Sequence, residues 1–297
     1  MSEKLVSVII NSYNGANFLR KSINSVLNQT YKNLEIILWD NASTDKTKKV
    51  LEEIKDPRLK VYFSKNFEKL YSAKNKAIKL SSGDYLAFLD VDDWWEENKL
   101  KTQIQDMINK NCDLSCSNYW IVNERKKIKY PAFRKDIISK NYFDYALKKY
   151  FIGMSTLIIK RDIYKSLDYG FDSSFEVIGD YDLVLRLLKK YQLYFSIEKL
   201  GFYRWHDNNL SNKKFRLNIL ELIIWKKKML NNKFFLNNSN QIYLNDNILF
   251  LMSLYFKNKN NNSKILFLLS KTKSIKFLLK IFILLIIPKG LLKIIRS

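Results

Sequence analysis

The chain has 297 residues, enough for one large domain or two small ones. Its 52 Lys and Arg residues against 29 Asp and Glu residues give a net charge of +23, which attracts anions such as nucleic acid, anionic lipid or phosphorylated substrates. One His and two Cys residues are too few for a zinc site of Cys and His ligands, so we expect Cys112 and Cys116 to be buried or half-buried thiols in a reducing cytoplasm.

The first third of the chain alternates between strand and helix patterns. Short apolar runs predict buried strands at residues 6–10, 34–38, 59–63 and 85–89. Helices are predicted between them, at residues 14–29, from a cap at Ser43 or Thr44 to residue 54, and at residues 72–80. This alternation implies right-handed βαβ crossovers, so we predict an α/β fold with a Rossmann-like, mostly parallel sheet.

The rest of the chain is predicted to mix helices and strands before it becomes wholly helical. Helices are predicted at residues 98–110, 142–150, 162–167 and 180–191, and strands at residues 113–122, 155–160 and 200–205. The basic stretch 125–135 is predicted to be a loop or a hairpin. From residue 215 the sequence is Asn-rich and helical, which predicts a C-terminal α-helical extension over residues 215–297.

Three carboxylates within four residues end the fourth apolar run, at Asp90, Asp92 and Asp93. In an α/β sheet, ligands bind at the carboxyl ends of the strands, and closely packed acids repel one another unless a cation lies between them. Carboxylate oxygens suit Mg²⁺ or Mn²⁺, and substrate phosphates complete the shell of such an ion. The sequence therefore indicates a metal site here, with a solvated acidic turn as the alternative.

Four stretches together resemble the motifs of the family-2 nucleotide-sugar glycosyltransferases, which have the GT-A fold. They occur in the family's order and spacing, at residues 6–14 (VSVIINSYN), 40–45 (DNASTD), 88–93 (FLDVDD) and 179–183 (GDYDL). Ala73-Lys74-Asn75 stands where the family usually has Ala-Arg-Asn. The resemblance covers roughly residues 5 to 210 and implies an enzyme that takes a sugar from a nucleotide diphosphate.

The resemblance implies a donor site of five residues. Ser12 and Tyr13 are expected to line the nucleoside pocket, and Asp40 to accept a hydrogen bond from the N–H of the base, which suits uracil or a similar base; the expected donor is UDP-linked. The alternative for Asp40 is a helix cap. Lys74 is expected near the pyrophosphate, where it keeps the charge of the usual Arg but loses the bidentate fork. Asp90 is expected to contact the ribose.

The resemblance also implies a Mn²⁺ or Mg²⁺ site. Asp92 is expected to hold the ion, with Asp93 nearby, and the ion would act as a Lewis acid on the departing diphosphate. The only histidine of the sequence, His206, is expected on the metal or diphosphate side of the pocket. A structural role for this His is the alternative, and the sequence does not decide between them.

Asp180 matches the Asp of the family's Glu-Asp motif, the general base that deprotonates the acceptor hydroxyl. It lies at a predicted helix start, where an acid that stabilises the helix dipole is the alternative. The usual preceding Glu is replaced by Gly179, which weakens inferences about acceptor contacts. We expect Asp182 to be structural or to face the acceptor rather than to be catalytic.

The C-terminal tail is basic, because no acidic residue follows Asp246. Its longest uncharged apolar run, residues 281–287, is too short for a membrane span, which needs about 20 residues. We interpret the tail as a basic interfacial helix on an anionic membrane surface, with packing on the catalytic domain or a dimer partner as the alternative. Since Met1 leads almost directly into a strand, we expect no signal peptide and a cytoplasmic protein, peripheral to the inner face of the cytoplasmic membrane.

The resemblance therefore implies a metal-dependent, inverting glycosyltransferase with a nucleotide-sugar donor. Residues 1–100 are expected to form the donor half and residues 101–214 the acceptor half of one GT-A domain. The expected acceptor is a glycan or a lipid-linked molecule of bacterial surface polysaccharide or lipooligosaccharide synthesis. The charge leaves a nucleic-acid-binding protein as an alternative, although no nucleic-acid motif is present. A catalytically inactive GT-A scaffold is another.

Overall fold

The computed structural model describes residues 3–139, 141–206, 209–231, 238–259, 261, 263–265 and 285. The chain divides into two compact units, residues 1–142 with 151–206 and residues 143–150 with 207–297. The apolar run predicted to bind membrane, at residues 281–287, lies outside the described residues apart from residue 285. None of the helices in the described part of the chain is long and apolar enough to cross a bilayer.

The first unit is built on one mixed sheet of nine strands. They are β1 (Val6–Ser12), β2 (Leu34–Asp40), β3 (Leu59–Phe63), β4 (Tyr85–Asp90), β5 (Trp94–Trp95), β6 (Leu114–Asn123), β7 (Ile128–Pro131), β8 (Ile158–Lys160) and β9 (Leu193–Arg204). Their order is β3-β2-β1-β4-β8-β6-β9-β5, with β7 paired to β6. The neighbours among β1 to β4, and the pair of β6 and β9, are parallel, whereas β5, β7 and β8 are antiparallel to their neighbours. The predicted α/β fold with a mostly parallel sheet is confirmed.

The described part of the chain contains ten α-helices. They are α1 (Ala16–Leu27), α2 (Thr47–Glu52), α3 (Leu70–Lys79), α4 (Lys99–Asn109), α5 (Tyr142–Lys148), α6 (Arg161–Lys165), α7 (Gly179–Leu188), α8 (Leu210–Lys213), α9 (Phe215–Asn231) and α10 (Asn238–Asn258). Helix α1 shows why the helices could be predicted from apolar spacing, because its buried residues Leu19, Ile23 and Val26 lie on one helical face. The helices of the first unit lie within one to three residues of their predicted bounds at most ends, and α2 ends two residues early.

The core beside this sheet joins β1, β2 and β4 to α1 and α4. The strands β1 and β2 are buried on both faces, which is why they appear in sequence as continuous apolar runs rather than as an alternation. Both Cys residues are buried free thiols, as predicted. Burial raises the pKa of Cys112 to about 11, so this thiol stays protonated near neutral pH.

Two strand predictions need correction, and the two-residue strand β5 (Trp94–Trp95) was not predicted. Residues Met154–Thr156 form a 3₁₀ turn, so only Ile158–Lys160 of the predicted 155–160 strand pairs in the sheet. Strand β9 begins at Leu193 rather than at residue 200, and its register against β6 shifts at Ser117/Asn118 and Asn118/Tyr119. Such bulges break the alternation of inward and outward side chains on which sequence prediction depends.

The described part of the second unit is helical, as predicted for the C-terminal extension, and it includes α5 without its first residue together with α8, α9 and α10. Trp225 on α9 is fully buried. Asn240 on α10 donates a hydrogen bond to Asp144 Oδ1 at 2.8 Å. Two turns further along α10, Asn247 donates to the backbone oxygen of Leu147 at 2.8 Å. Asn side chains of this extension therefore tie α10 to α5.

Candidate active site

The carboxyl ends of three neighbouring strands carry polar residues that the sequence assigned to the donor. In the sheet register, Ser12 at the end of β1 lies opposite Asp40 at the end of β2. On the other side of β1, Asn11 lies opposite Asp90 at the end of β4. Because the carboxyl ends of parallel strands meet at one edge, the fold brings together residues that are far apart in sequence, such as Asn11 and Asp90, which are 79 positions apart.

The loops after β1 and β2 are tied to each other by side chains. Asp40 is buried and accepts hydrogen bonds from the hydroxyl of Ser43 at 2.6 Å and from its backbone N–H at 3.1 Å. Asn14 accepts from the backbone N–H of Thr44 at 2.8 Å, and its own N–H donates to Ser43 Oγ at 2.8 Å. Ala42 between them has a φ of 58°, a left-handed conformation that an Ala adopts only under strain. Asp40 thus shapes this loop rather than capping α2, whose N-cap is Lys46.

An exposed aromatic pair stands beside the two loops. The side chain of Tyr13 is 49% exposed, and its ring centroid lies 4.6 Å from that of Phe67, which is 57% exposed. Two large rings left open to solvent next to a strand edge suit stacking on a flat ligand such as a nucleobase. In the same region the hydroxyl of Ser12 and the amide atoms of Asn11 are buried without a hydrogen-bond partner among the described residues. Buried polar atoms of this kind fit a bound polar ligand.

Lys74 and Asp90 form an ion pair at this edge. Lys74 lies on α3 with its side chain buried, and its Nζ is 2.9 Å from Asp90 Oδ1. The Asp90 side chain remains 42% exposed, so it keeps much of its contact with water. The structure therefore joins two predicted donor residues that come from different elements, and it places a buried positive charge beside the acidic turn.

In the acidic turn, the side chain of Asp92 contacts that of His206, which lies two residues beyond the end of β9. His206 Nε2 lies 3.0 Å from Asp92 Oδ2, and the His ring stacks on Phe18 with 5.3 Å between centroids. Arg204 supports the turn, because its Nε donates to the backbone oxygen of Asp92 at 2.8 Å. Its guanidinium lies 4.9 Å above the Phe18 ring and 4.7 Å above that of Trp94.

Asp93 points into the protein, away from this pair. It is 3% exposed, its Oδ2 accepts from the hydroxyl of Ser155 at 2.5 Å, and its Oδ1 accepts from the backbone N–H of Arg204 at 2.9 Å. Burial, with the neighbouring charges of Asp92 and Asp90, raises the pKa of Asp93 well above its usual value. Asp93 anchors the acidic turn to β9 and to the 3₁₀ turn.

The predicted metal ligands are thus divided between two environments. No group of three or more His, Cys, Asp or Glu side chains within the described ranges could by itself hold a metal ion. One carboxylate and one imidazole suit Mn²⁺ when waters and substrate phosphates supply the other ligands, so Asp92 and His206 fit the expected ion. Because both oxygens of Asp93 are used inside the protein, we leave it out of the ligand set.

Asp180 is the second residue of helix α7 and accepts two hydrogen bonds. Its Oδ1 accepts from the Tyr71 hydroxyl at 3.1 Å and from the backbone N–H of Tyr181 at 2.8 Å. Burial raises the pKa of Asp180, an effect opposed by the charge of Lys74 and by these hydrogen bonds and reinforced by the charge of Asp90. A carboxylate whose pKa moves toward neutral pH suits proton transfer.

Asp182, two residues further along α7, has a different environment. It is fully buried and pairs with Arg186, whose Nε lies 2.9 Å from Asp182 Oδ2. The Arg186 guanidinium also donates to the backbone oxygens of Tyr169 and Gly170. This network ties α7 to the loop before it, which supports the structural alternative for Asp182.

Comparisons with known proteins agree with this arrangement. The family model described as "Glycosyl transferase family 2" matches residues 7–167, more than half of the chain. The chain belongs to glycosyltransferase family 2. It is 34% identical over 221 residues to an Escherichia coli protein named UDP-Glc:alpha-D-GlcNAc-diphosphoundecaprenol beta-1,3-glucosyltransferase WfgD, covering 73% of this chain and 83% of that one. It is 32% identical to the putative teichuronic acid biosynthesis glycosyltransferase TuaG of Bacillus subtilis, covering 71% and 83% of the two chains.

Solved structures of other glycosyltransferases share the fold of this family-2 enzyme. The mannosyltransferase PcManGT of Pyrobaculum calidifontis, solved with GDP-Man and Mn²⁺, superposes with a TM-score of 0.63 at 16% identity and covers 96% of this chain and 81% of its own. Residues 1–349 of S. aureus TarS, solved with UDP-GlcNAc, give a TM-score of 0.59 at 14% identity, covering 88% and 89%. The predicted GT-A fold is confirmed, and the comparisons lend no support to a nucleic-acid-binding protein.

Several residues around the site of this glycosyltransferase were not predicted from the sequence. Arg204 lies two positions before His206, and Tyr71 lies three positions before Lys74 on α3, so that Tyr71 and Lys74 share a helix face. The i, i+3 spacing on the helix that carries Lys74 was a usable signal for Tyr71. Nothing local marks Ser155 as the partner of Asp93, because that contact joins residues 62 positions apart.

Proposed function

We propose that this family-2 glycosyltransferase transfers a hexose from a UDP-linked donor to a hydroxyl of a lipid-linked or glycan acceptor in cell-surface polysaccharide synthesis. The name of its Escherichia coli relative specifies UDP-Glc and a diphosphoundecaprenol-linked acceptor, and the chain covers 83% of that relative. TarS, which shares the fold, has been solved with UDP and with UDP-GlcNAc. The open ring pair of Tyr13 and Phe67 suits a stacked nucleobase at the donor edge.

The observation that carries the proposal is the position of helix α3 between two charged groups. Lys74 on this helix pairs with Asp90 at the strand edge, where the donor is expected. One turn earlier, Tyr71 hydrogen-bonds to Asp180. One helix therefore connects the expected donor edge to a half-buried carboxylate with a raised pKa, which is the arrangement that a sugar transfer by direct displacement needs.

In the proposed reaction Asp180 is the general base. It takes the proton of the acceptor hydroxyl while the oxygen of that hydroxyl attacks the anomeric carbon, and the bond between that carbon and the diphosphate breaks. A single displacement inverts the anomeric centre. The buried positive charge of Lys74 stabilises negative charge on the diphosphate side of the site, and Tyr13, Ser12 and Asp40 hold the nucleoside.

Asp92 and His206 would hold a Mn²⁺ or Mg²⁺ ion. When bound, such an ion supplies Lewis-acid neutralisation of the charge that develops on the departing diphosphate. Asp93 and Arg204 keep the backbone of the acidic turn in place, Asp93 through its contact with the Arg204 N–H and Arg204 through its bond to the Asp92 oxygen. Their task is to orient Asp92.

The proposal extends to the division of the chain and its place in the cell. We assign residues 1–100 to donor binding, residues 101–214 to acceptor binding and the basic extension, residues 215–297, to an anionic membrane surface. This assignment rests on the excess of Lys and Arg and on the diphosphoundecaprenol-linked acceptor in the name of the relative. It makes the protein peripheral to the cytoplasmic face of the membrane, with no role in nucleic-acid binding.

The decisive experiment combines a donor panel with one substitution. Purified full-length protein is incubated with UDP-sugars, Mn²⁺ and a short-chain lipid diphosphate carrying GlcNAc, while released UDP and the product's anomeric configuration are measured. Asp180→Asn removes the base at constant volume, so kcat should fall by about 10²–10⁴-fold while the Kd for UDP barely changes. EDTA should abolish turnover, and added Mn²⁺ should restore it.

Asp168→Asn is the matched control, because Asp168 is an exposed acid in the loop before α7. Asp182→Asn would be a poor control, since it breaks a buried ion pair and leaves Arg186 without its partner. An α-linked product from an α-linked donor would remove the single-displacement mechanism. A loss of UDP affinity equal to the loss of kcat would reassign Asp180 to donor binding, and full activity in EDTA would remove the metal from the proposal.

A further inference from the structure

The Tyr71 hydroxyl lies between two acceptors at the start of α7. Tyr71 is 3% exposed, and its Oη is 2.8 Å from the backbone oxygen of Val177 and 3.1 Å from Asp180 Oδ1. A hydroxyl has one proton and two lone pairs, so it donates to one of these oxygens at a time. The hydroxyl therefore has two settings, and only one of them places a hydrogen bond on an ionised Asp180.

The Tyr71 ring is held tightly enough to fix the position of that hydroxyl. On one side it stacks on Phe171, with 5.4 Å between centroids and 19° between the planes. On the other side lies Gly179, where a Cβ atom would stand 2.5 Å from a ring carbon. This close approach admits only a glycine and lets the ring reach the first turn of α7, next to Asp180.

Only one oxygen of the Asp180 carboxylate accepts hydrogen bonds from the described residues. Among the described residues, both hydrogen bonds to Asp180, from Tyr71 and from the Tyr181 N–H, end on Oδ1. The charged groups that act on Asp180 are Lys74 on α3 and Asp90 on β4. Burial, followed by the charge of Asp180, raises the pKa of Tyr71, which keeps its hydroxyl protonated as a donor.

We propose that Tyr71 is the positioning residue of the general base: its hydroxyl holds Asp180 Oδ1 and leaves Oδ2 to take the proton of the acceptor hydroxyl. The inference rests on the proposed function. While Asp180 is ionised, the Tyr71 hydroxyl donates its hydrogen bond to Oδ1, and the negative charge of the carboxylate strengthens that bond. Once the proton of the acceptor has moved to Asp180, the Tyr71 hydroxyl turns to the Val177 oxygen. The same side chain thus accommodates the base before and after proton transfer.

The test is Tyr71→Phe, which removes the hydroxyl and keeps the ring between Gly179 and Phe171. We expect kcat to fall about ten- to hundredfold, the loss of one hydrogen bond to a charged group, with the KM for the UDP-sugar unchanged. Because the hydroxyl stabilises the ionised carboxylate, its loss should move the acid limb of the kcat–pH profile upward by about one pH unit. A purely structural substitution would lower kcat without moving that limb.

Tyr164→Phe is the matched control. Tyr164 also packs near Phe171, and its hydroxyl donates to Asn75 Oδ1 at 3.1 Å rather than to Asp180. This variant also loses a partly buried hydroxyl and should leave the position of the acid limb unchanged. Circular dichroism and the thermal midpoint of each variant show whether it is folded.

A double-mutant cycle separates this inference from the proposed function. If Tyr71 acts through Asp180, Tyr71→Phe should cost little further in the Asp180→Asn background. Full additivity of the two losses, or a Tyr71→Phe profile with an unmoved acid limb, would overturn the positioning role while leaving Asp180 as the base. If Asp180→Asn keeps full activity, the base assignment itself fails, and the Tyr71 role fails with it.

Discussion

Replacement of Lys74 by Met removes a buried charge and keeps most of the length of the side chain. The ion pair with Asp90 is 2.9 Å long, but Asp90 is 42% exposed, so water compensates much of its charge and we expect a stability loss of only about 1 kcal/mol. A charge-assisted hydrogen bond to the donor diphosphate is worth about 1.5–3 kcal/mol, which corresponds to roughly 10- to 150-fold weaker binding of UDP.

The assay is titration calorimetry with UDP in the presence of Mn²⁺, together with the kcat–pH profile. The positive charge of Lys74 holds down the raised pKa of Asp180, so its removal should raise that pKa further and move the acid limb of the profile to higher pH. Lys76→Met is the control, because Lys76 is two positions along the same helix and exposed, where it pairs with Glu68. An unchanged Kd for UDP in a folded Lys74→Met protein would refute the reasoning.

Two further predictions concern stability and packing. The amine of Lys99 is fully buried without a hydrogen-bond partner among the described residues, and burial lowers its pKa well below the usual value. Lys99→Met should therefore raise the free energy of unfolding by about 1–3 kcal/mol. The unfolded wild-type chain binds the extra proton, so wild-type stability should rise by up to about 1.4 kcal/mol per pH unit toward the unfolded-state pKa near 10.4. Urea unfolding from pH 6 to 10 should show this slope in the wild type and in the exposed-site control Lys101→Met, and a slope retained in Lys99→Met would contradict it. Gly179→Ala should displace the ring of Tyr71 and destabilise the fold by about 1–3 kcal/mol, with a lower kcat. Gly201→Ala, whose Cβ would approach no atom closer than 3.5 Å, should leave the thermal midpoint and kcat nearly unchanged, and equal effects at both glycines would be evidence against the steric argument.

The sequence by itself determined the sheet edge and the residues that stand on it. A strand buried on both faces needs a continuous apolar run, so residues 6–10, 34–38 and 85–89 were recognisable as strands without knowledge of the fold. Parallel strands joined by right-handed crossovers end at the same edge. The local pattern and the connectivity were therefore enough to predict that Asp40 lies beside Ser12 and that Asp90 lies beside the end of β1.

The tertiary structure alone decided what each polar group touches. Asp92 and Asp93 are adjacent in sequence and chemically identical, yet one meets His206 and the other is buried against Ser155 and the backbone of Arg204. The difference depends on the register of β9 against β6, which two irregularities shift and which no short-range pattern encodes.

The same holds for the partner of the proposed base. Tyr71 and Asp180 are 109 positions apart, and their contact requires a glycine at position 179 that admits the ring. Sequence periodicity reports on residues within a few turns of one another, because helix and strand geometry fix only local neighbours. Contacts between distant segments depend on how closely whole elements pack, and the environment that raises the pKa of Asp180 arises only once that packing is complete.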